Sequence, residues 1–398
     1  MRRNKILFLI LITIPLIALS LPGKIYISRD RVPTDPYLAQ QWGWFRVEAD
    51  AAWYYNYTGK GVIIAVLDTG ADLNHPDLEN VWWRNDGEIE NGIDDDGNGY
   101  VDDIYGWNFV DDNNNVSDDN GHGTMVIGVI AAQPNTIGII GVAPDARIMV
   151  LKVLNKNGSG STGILANAIN YAKDMGARII SMSLGSDSLP DPILELAIEN
   201  ANLSGILLIA AAGNDNKNTI DYPASNDKVI AVTATTINDT FASYSNYGSK
   251  AELSAPGGDE PDYIISTGIN GEYINVIGTS IAVPFVSGLA ALAMERYPNM
   301  SAAQIRQLLA NTSDDLGTPG WDKFFGYGRV NACTLLQLPN ANPFPIPNPN
   351  PSIWEEILEM LTSTEVLVVL GLVTLLGILL AVIRYRAKKR IEMEVIEF

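Results

Sequence analysis

Three side chains in glycine-rich bends could together carry out nucleophilic catalysis. Asp68 ends the apolar run AVLD and is followed by Thr69-Gly70, His122 lies in NGHGTMVIGVIAA, and Ser280 lies in GTSIAVPFVSGLAALA. A serine hydroxyl is a weak nucleophile at its own pKa, so it needs an imidazole within hydrogen-bond reach to take its proton. The imidazole in turn needs a carboxylate to fix its tautomer. Singly, each residue has an ordinary structural reading: Asp68 as a turn cap, His122 as part of a helix start, Ser280 as an N-cap. Jointly they supply orienter, base and nucleophile. A fourth segment, AAAGN (210–214), sets Asn214 just beyond an apolar run, where its amide could donate to an oxyanion beside the Ser280 N–H.

A second kind of chemistry is suggested by DDDGNGYVDD (94–103). Asp94, Asp96 and Asn98 alternate and Gly99 follows, as in the first half of an EF-hand loop, but the twelfth position holds Tyr105 where a glutamate would close the cage. With the Tyr100 carbonyl and Asp102 or Asp103 the loop can still offer an oxygen cage to Ca²⁺. The competing reading is a solvated acidic loop. A sensor would need paired helices around the loop, whereas YGWNF (105–109) borders it, so the expected role is a stabilising staple.

The elements that must position these residues alternate along the chain. GVIIAVLDTG (61–70), ARIMVLKVL (146–154), ARIISMSLG (177–185), GILLIAAAGN (205–214) and KVIAVTATT (228–236) are continuous apolar runs, as expected of strands covered on both faces. GILANAINYAKDMG (163–176) and PILELAIENANLSG (192–205) have helical periodicity and end in glycine. Strand–helix–strand repetition implies an α/β, doubly wound, mostly parallel sheet with helices on both faces. In such sheets the active residues gather at the carboxyl ends of the strands.

Composition bounds the partners. A net charge of −20 argues against nucleic acid, which needs a basic face. Two histidines exclude a multi-histidine zinc site, and the single Cys333 excludes an internal disulfide. The ends carry addresses. Arg2, Arg3 and Lys5 precede an apolar run to Leu19, the pattern of a signal peptide over residues 1–20. Val366 to Ile383 is uncharged for 18 residues, about 27 Å as a helix, and RYRAKKR follows it. Basic residues mark the cytoplasmic flank, so the expected plan is a leader, an extracellular catalytic domain (35–337), a Pro-rich stalk (338–352), a transmembrane helix and a short inner tail. The oligomeric state is not legible in the sequence.

AVLDTG, NHPDL, NGHGT, AAGN and GTSxAxP occur in an order that resembles the subtilisin-like serine proteases, the subtilases, whose triad runs Asp, His, Ser. The resemblance spans about 300 residues and includes GVAP (141–144), SLG (183–185), YPA (222–224), APGG (255–258) and GYGRVNA (326–332). It implies a serine endopeptidase acting on proteins or peptides, with Asp68, His122 and Ser280 as triad and Asn214 as oxyanion donor. It also implies that Gly158-Ser159-Gly160 pairs with extended substrate, that Ser183-Leu184-Gly185 forms the opposite wall, and that Ala212, Gly213 and Asp221 border the pocket for the side chain preceding the scissile bond. An acid at Asp221 raises the expectation of a preference for Lys or Arg there, against the alternative of an exposed loop acid. His75, in NHPDL, reads as structural.

The family also implies a calcium site from Asp77 and the loop 133–140: Asn135 by its side chain, Gln133, Ile137 and Ile139 by carbonyls, and Asp35 from the N-terminal segment. Two structural Ca²⁺ sites are therefore expected. Departures from the family pattern are Ile281 and Val283 after the nucleophile, and only about fifteen residues between Ser20 and Asp35, where a folded propeptide is usual. The rival reading is a non-catalytic, calcium-held surface module that keeps a protease fold.

Overall fold

A computed structural model describes residues 33–187 and 190–339. Seven strands, β1 (Ile63–Asp68), β2 (Gly106–Asn108), β3 (Arg147–Lys152), β4 (Ile179–Met182), β5 (Leu207–Ala211), β6 (Val229–Thr235) and β7 (Leu253–Pro256), form one sheet in the order β2-β3-β1-β4-β5-β6-β7. Every pairing in it is parallel. A separate antiparallel hairpin joins β8 (Ile264–Thr267) to β9 (Tyr273–Val276). The helices are α1 (Trp42–Arg46), α2 (Ala49–Tyr54), α3 (His122–Ala131), α4 (Thr162–Asp174), α5 (Pro192–Leu203), α6 (Thr279–Arg296), α7 (Ala302–Thr312) and α8 (Ala332–Leu335).

Strand residues alternate between two apolar layers, as the period of two requires. Ile64 and Val66 of β1, Leu207 and Ile209 of β5, and Ile230 and Val232 of β6 enter one layer with α3 and α6. Ala65, Leu67, Leu208, Ala210, Val229 and Ala231 enter the other, with α4 and α5. α6 is buried from Thr279 to Met294, so it is apolar all round and acts as the central core helix. Ile281 and Val283 are fully buried there, which explains why an apolar residue suffices at each. Truncating an isoleucine in such a layer to alanine costs about 2–5 kcal/mol.

The strand order reverses at β1, whose neighbours are β3 and β4. A crevice opens at such a switch point, outside the carboxyl ends of the strands. Asp68 is the last residue of β1, and Ser183 follows β4 directly. Strands β2, β7, β8 and β9 are not anticipated by the apolar runs, because each is only three or four residues long and, unlike the equally short β4, does not lie inside a longer apolar run. Among the described residues no helix is long and apolar enough to cross a membrane. The expected leader, the stalk beyond Pro339 and the apolar span at 366–383 lie outside the described residues.

Candidate active site

β1 delivers Asp68, 1% exposed, to the crevice, and α3 begins at His122. The Asp68 Oδ1 lies 2.7 Å from His122 Nδ1 and accepts from the Thr69 N–H at the same distance. Facing a carboxylate, Nδ1 carries the proton and Nε2 is left as the basic nitrogen; this tautomer is assigned from the partners. Burial disfavours the imidazolium, but Asp68, seconded by Asp118, outweighs it and raises the His122 pKa above 6.5.

Asp118 is a residue that the sequence reading missed. Its carboxylate accepts from the N–H groups of Gly121 (2.8 Å) and Thr124 (2.9 Å) and from the hydroxyls of Thr69 (2.8 Å) and Thr124 (2.7 Å). It therefore satisfies amides at the start of α3 that have no intrahelical acceptor. Gly123 must be glycine: a Cβ there would lie 2.2 Å from the Gly70 carbonyl oxygen. Lys152, 3% exposed and in register with Asp68, donates to Thr69 O at 2.5 Å and Asp119 Oδ1 at 2.7 Å. The signal for it was a lysine inside the apolar run ARIMVLKVL, since buried lysines are almost always paired.

Ser280 is the second residue of α6, and its backbone N–H is among those that the helix leaves without an intrahelical acceptor. Asn214 Oδ1 accepts from the Thr279 N–H (2.8 Å) and the Thr279 hydroxyl (2.9 Å). With its oxygen pinned, the Asn214 amide group turns its Nδ2 the other way. A Cβ built on Gly278 would lie 3.0 Å from Ser280 Oγ and 3.8 Å from Asn214 Nδ2, so both atoms border the space that glycine leaves.

Asp68's partner His122, Ser280 and Asn214 line one cavity of about 700 Å³. Gly158, Ser159, Gly160, Ser183, Leu184, Gly185, Gly213 and Asp221 line the same cavity. Gly158 belongs to a turn, its N–H bonded to Asn155 O at 2.8 Å, and Ser159 is closed into the same turn, its N–H on Asn155 Oδ1 at 3.2 Å and its carbonyl accepting from the Asn155 N–H at 2.9 Å. Ala212 differs from expectation. It is fully buried in the layer of α4 and α5, while Ala211 borders the cavity, because successive strand residues face opposite sides.

The residues expected to hold metal fall into two clusters. Asp35 and Asp77 are both buried, and Asp35 Oδ2 and Asp77 Oδ1 have no hydrogen-bond partner. Asp35 Oδ1 accepts from the Asn135 N–H at 3.2 Å; Asp77 Oδ2 accepts from the Ile139 N–H at 2.9 Å and the Tyr273 hydroxyl at 3.1 Å. The Gln133 N–H bonds Asp77 O at 2.9 Å, and the Ile137 N–H bonds Asn135 Oδ1 at 3.0 Å. Burial pushes the Asp77 carboxyl up to about 6, with Asp35 adding to the shift. His75 sits beside this cluster, Nδ1 accepting from the Asp77 N–H at 3.1 Å and Nε2 at 3.0 Å from Glu272 O.

In the acidic loop, Glu88, Asp94 and Asp96 bring carboxylate oxygens within 4.8 Å of one another. Glu88, upstream of the repeat, is the member sequence reading missed. Its carboxylate accepts from the N–H groups of Asp95 (2.8 Å), Asp96 (3.1 Å) and Asp102 (3.0 Å). Asp102 and Asp103 are engaged elsewhere. Asp102 caps the N–H groups of Asn91 and Gly92, and fully buried Asp103 accepts from Tyr171 (2.6 Å), Asn85 (2.7 Å) and Asn98 (3.0 Å). Asn98 Oδ1 accepts from the Tyr100 N–H, and the Tyr100 ring packs on Trp107 and Tyr171.

Comparison with known proteins places the chain in a family. A family profile described as the subtilase family matches residues 59–328. An alkaline protease of Shouchella clausii is 39% identical over 311 residues, 78% of this chain and 73% of that one. Subtilisin Savinase of Lederbergia lenta is 40% identical over 291 residues, 73% of this chain and 96% of that one. Thermitase of Thermoactinomyces vulgaris is 37% identical over 307 residues, 77% and 99% respectively. The chain belongs to the subtilase family and is a serine endopeptidase.

Proposed function

We propose that Ser280 is the nucleophile, His122 the general base, Asp68 its orienter and Asn214 an oxyanion donor. The observation that carries this is the 2.7 Å Asp68–His122 contact in the cavity that Ser280 and Asn214 also line. Ser280 Oγ attacks the scissile carbonyl as His122 Nε2 takes its proton; Asp68 holds Nδ1–H and stabilises the imidazolium. The oxyanion is met by Asn214 Nδ2 and the Ser280 N–H, at the positive end of α6. His122 then protonates the leaving amine, and water releases the acyl group by the same steps in reverse order. Substrate backbone pairs with the segment Gly158–Gly160, at backbone groups that the Asn155 turn leaves unused, and with Ser183–Gly185, giving affinity with loose sequence preference.

The chain's own residues also fit Ca²⁺. Asp35, Asp77 and Asn135 form one site, with the Gln133, Ile137 and Ile139 carbonyls as further oxygens; its support is the pair of buried carboxylate oxygens without partners. The second is Glu88, Asp94 and Asp96, with Asn98 against Asp96 and the Tyr100 carbonyl as a further oxygen. Bound Ca²⁺ would supply charge balance and rigidity. We further assign residues 1–20 to export and 366–383 to a membrane anchor that leaves the protease outside, supported by the early Arg2-Arg3 and the basic flank from Arg384.

The test is turnover of an unstructured protein substrate by the full-length chain in Ca²⁺, beside Ser280→Ala. The variant should lose about 10⁶-fold in kcat, the size documented for the nucleophile in subtilisin. Equal turnover by the two proteins would overturn the assignment.

A further inference from the structure

Between the segments that follow β4 and β5 lies a slot of the cavity bordered by Gly185, Gly213 and Asp221. A Cβ on Gly185 would lie 3.0 Å from the Asp221 Cβ, and one on Gly213 would lie 2.4 Å from Asp221 Oδ2. Only glycine on both walls leaves the Asp221 carboxylate, 8% exposed, at the slot's inner end. One buried side chain organises it. Asn246 Nδ2 donates to Ala212 O and Asp221 Oδ1, both at 3.1 Å, and its Oδ1 accepts from the N–H groups of Asp215 and Lys217, both at 3.0 Å. The turn so held brings Asp215 back over the slot, and Asp187, Asp215 and Asp221 each place a carboxylate oxygen within 4.8 Å of the others. The Lys217 ammonium pairs with Asp187 and, at 3.0 Å, with Asp215.

We propose that this slot takes the side chain preceding the scissile bond and selects lysine or arginine there, with the Lys217 ammonium as its counter-ion until substrate displaces it; this rests on the endopeptidase reading above. An apolar side chain in the slot would strip water from Asp221 without pairing it, which is costly for a carboxylate. A basic one supplies charge-assisted hydrogen bonds to the same oxygens. Lys217 is still 42% exposed and its partners more so, so its pairing is partly screened and displacement is easy. The groups facing Asp221 are Asp187, Asp215 and Lys217; burial, then Asp187, pushes its carboxyl up to about 6.

The experiment compares kcat/KM of the full-length chain for peptides differing only in Arg, Lys or Leu before the scissile bond. Arg and Lys should exceed Leu by about tenfold or more, the worth of a charge-assisted bond. Asp221→Asn should reduce that ratio most and Asp215→Asn, an exposed change that leaves the core intact, should reduce it less. Lys217→Met should lower KM for the basic peptides. The Arg-to-Leu ratio, in which the titration of His122 cancels, should fall as pH falls through about 6 and Asp221 becomes neutral. Leu cleaved as well as Arg, in a Ser280-dependent way, would refute the slot and leave the endopeptidase standing. An unchanged KM in Lys217→Met would refute the counter-ion. No Ser280-dependent cleavage of any peptide would refute both the slot and the catalytic assignment.

Discussion

The Ser183 hydroxyl donates to the backbone carbonyl of Ser280 at 2.8 Å, across 97 residues of chain. That carbonyl is available because Pro284, one turn further along α6, has no N–H to offer it. The proline is thus not a defect in a core helix. It frees an acceptor through which the substrate-facing segment after β4 is bonded to the nucleophile's own residue.

Ser183→Ala should leave that buried acceptor without its donor, lowering stability by about 1–3 kcal/mol. It should also lower kcat, because the wall and the nucleophile are no longer tied. Pro284→Ala restores an N–H to the helix, so the double variant should recover much of the loss measured by denaturant unfolding. Strict additivity of the two changes would show that the carbonyl is not the shared element.

The acid limb of the pH–rate profile reports His122, which must be neutral to act as base. Asp68 and Asp118 hold its pKa up against burial. Asp68→Asn leaves burial unopposed, so the limb in kcat/KM should move to lower pH even as kcat falls by about 10⁴-fold, the size documented for this residue's role in subtilisin. Asp118→Asn should move the limb the same way by less. A limb unmoved by both changes would remove His122 as the titrating base.

Much of this was legible because the relevant signals are local. Ile64 to Leu67 read as a strand since every residue is apolar, and Asp68 and His122 announce themselves by charge and ring in glycine-rich bends. What depends on long-range geometry was not legible. The Ser183–Ser280 bond needs a missing N–H and a contact between distant segments. Glu88 precedes the alternating acids, so the loop pattern does not point to it. Asp215 and Lys217 are brought back to Asp221 by Asn246, on a separate segment, which bonds both sides of their turn, and Asp187 joins them from the segment after β4. Ala212 was misplaced by one residue, which in a strand is enough to reverse its face.

The unpartnered oxygens of Asp35 and Asp77 predict a crossing in stability. In Ca²⁺, Asp77→Asn should lower the melting temperature by removing a ligand; ion at a hundredfold over its Kd is worth about 2.7 kcal/mol. In chelator the same change should be neutral or stabilising, since it replaces one of two adjacent buried carboxylates by an amide. Equal destabilisation in both conditions would mean that Asp77 serves packing alone.

The acidic loop makes a sharper demand, because its carboxylates have two distinct duties. Asp103 anchors it to the core through Tyr171, with or without metal, so Asp103→Asn should destabilise in Ca²⁺ and in chelator alike. Asp94 and Asp96 mostly cap exposed loop amides and, with Glu88, face one another closely enough to share a cation. Asp94→Ala with Asp96→Ala should therefore lower the melting temperature in Ca²⁺ far more than in chelator, while kcat/KM of the folded fraction stays near wild type. Glu88→Gln keeps acceptors for the loop N–H groups but weakens the charge, so it should raise the Ca²⁺ concentration needed for half-maximal stabilisation. Melting curves for all three variants against Ca²⁺ separate the duties. A loop that only repels itself would instead become more stable with each carboxylate removed, whatever the Ca²⁺ concentration.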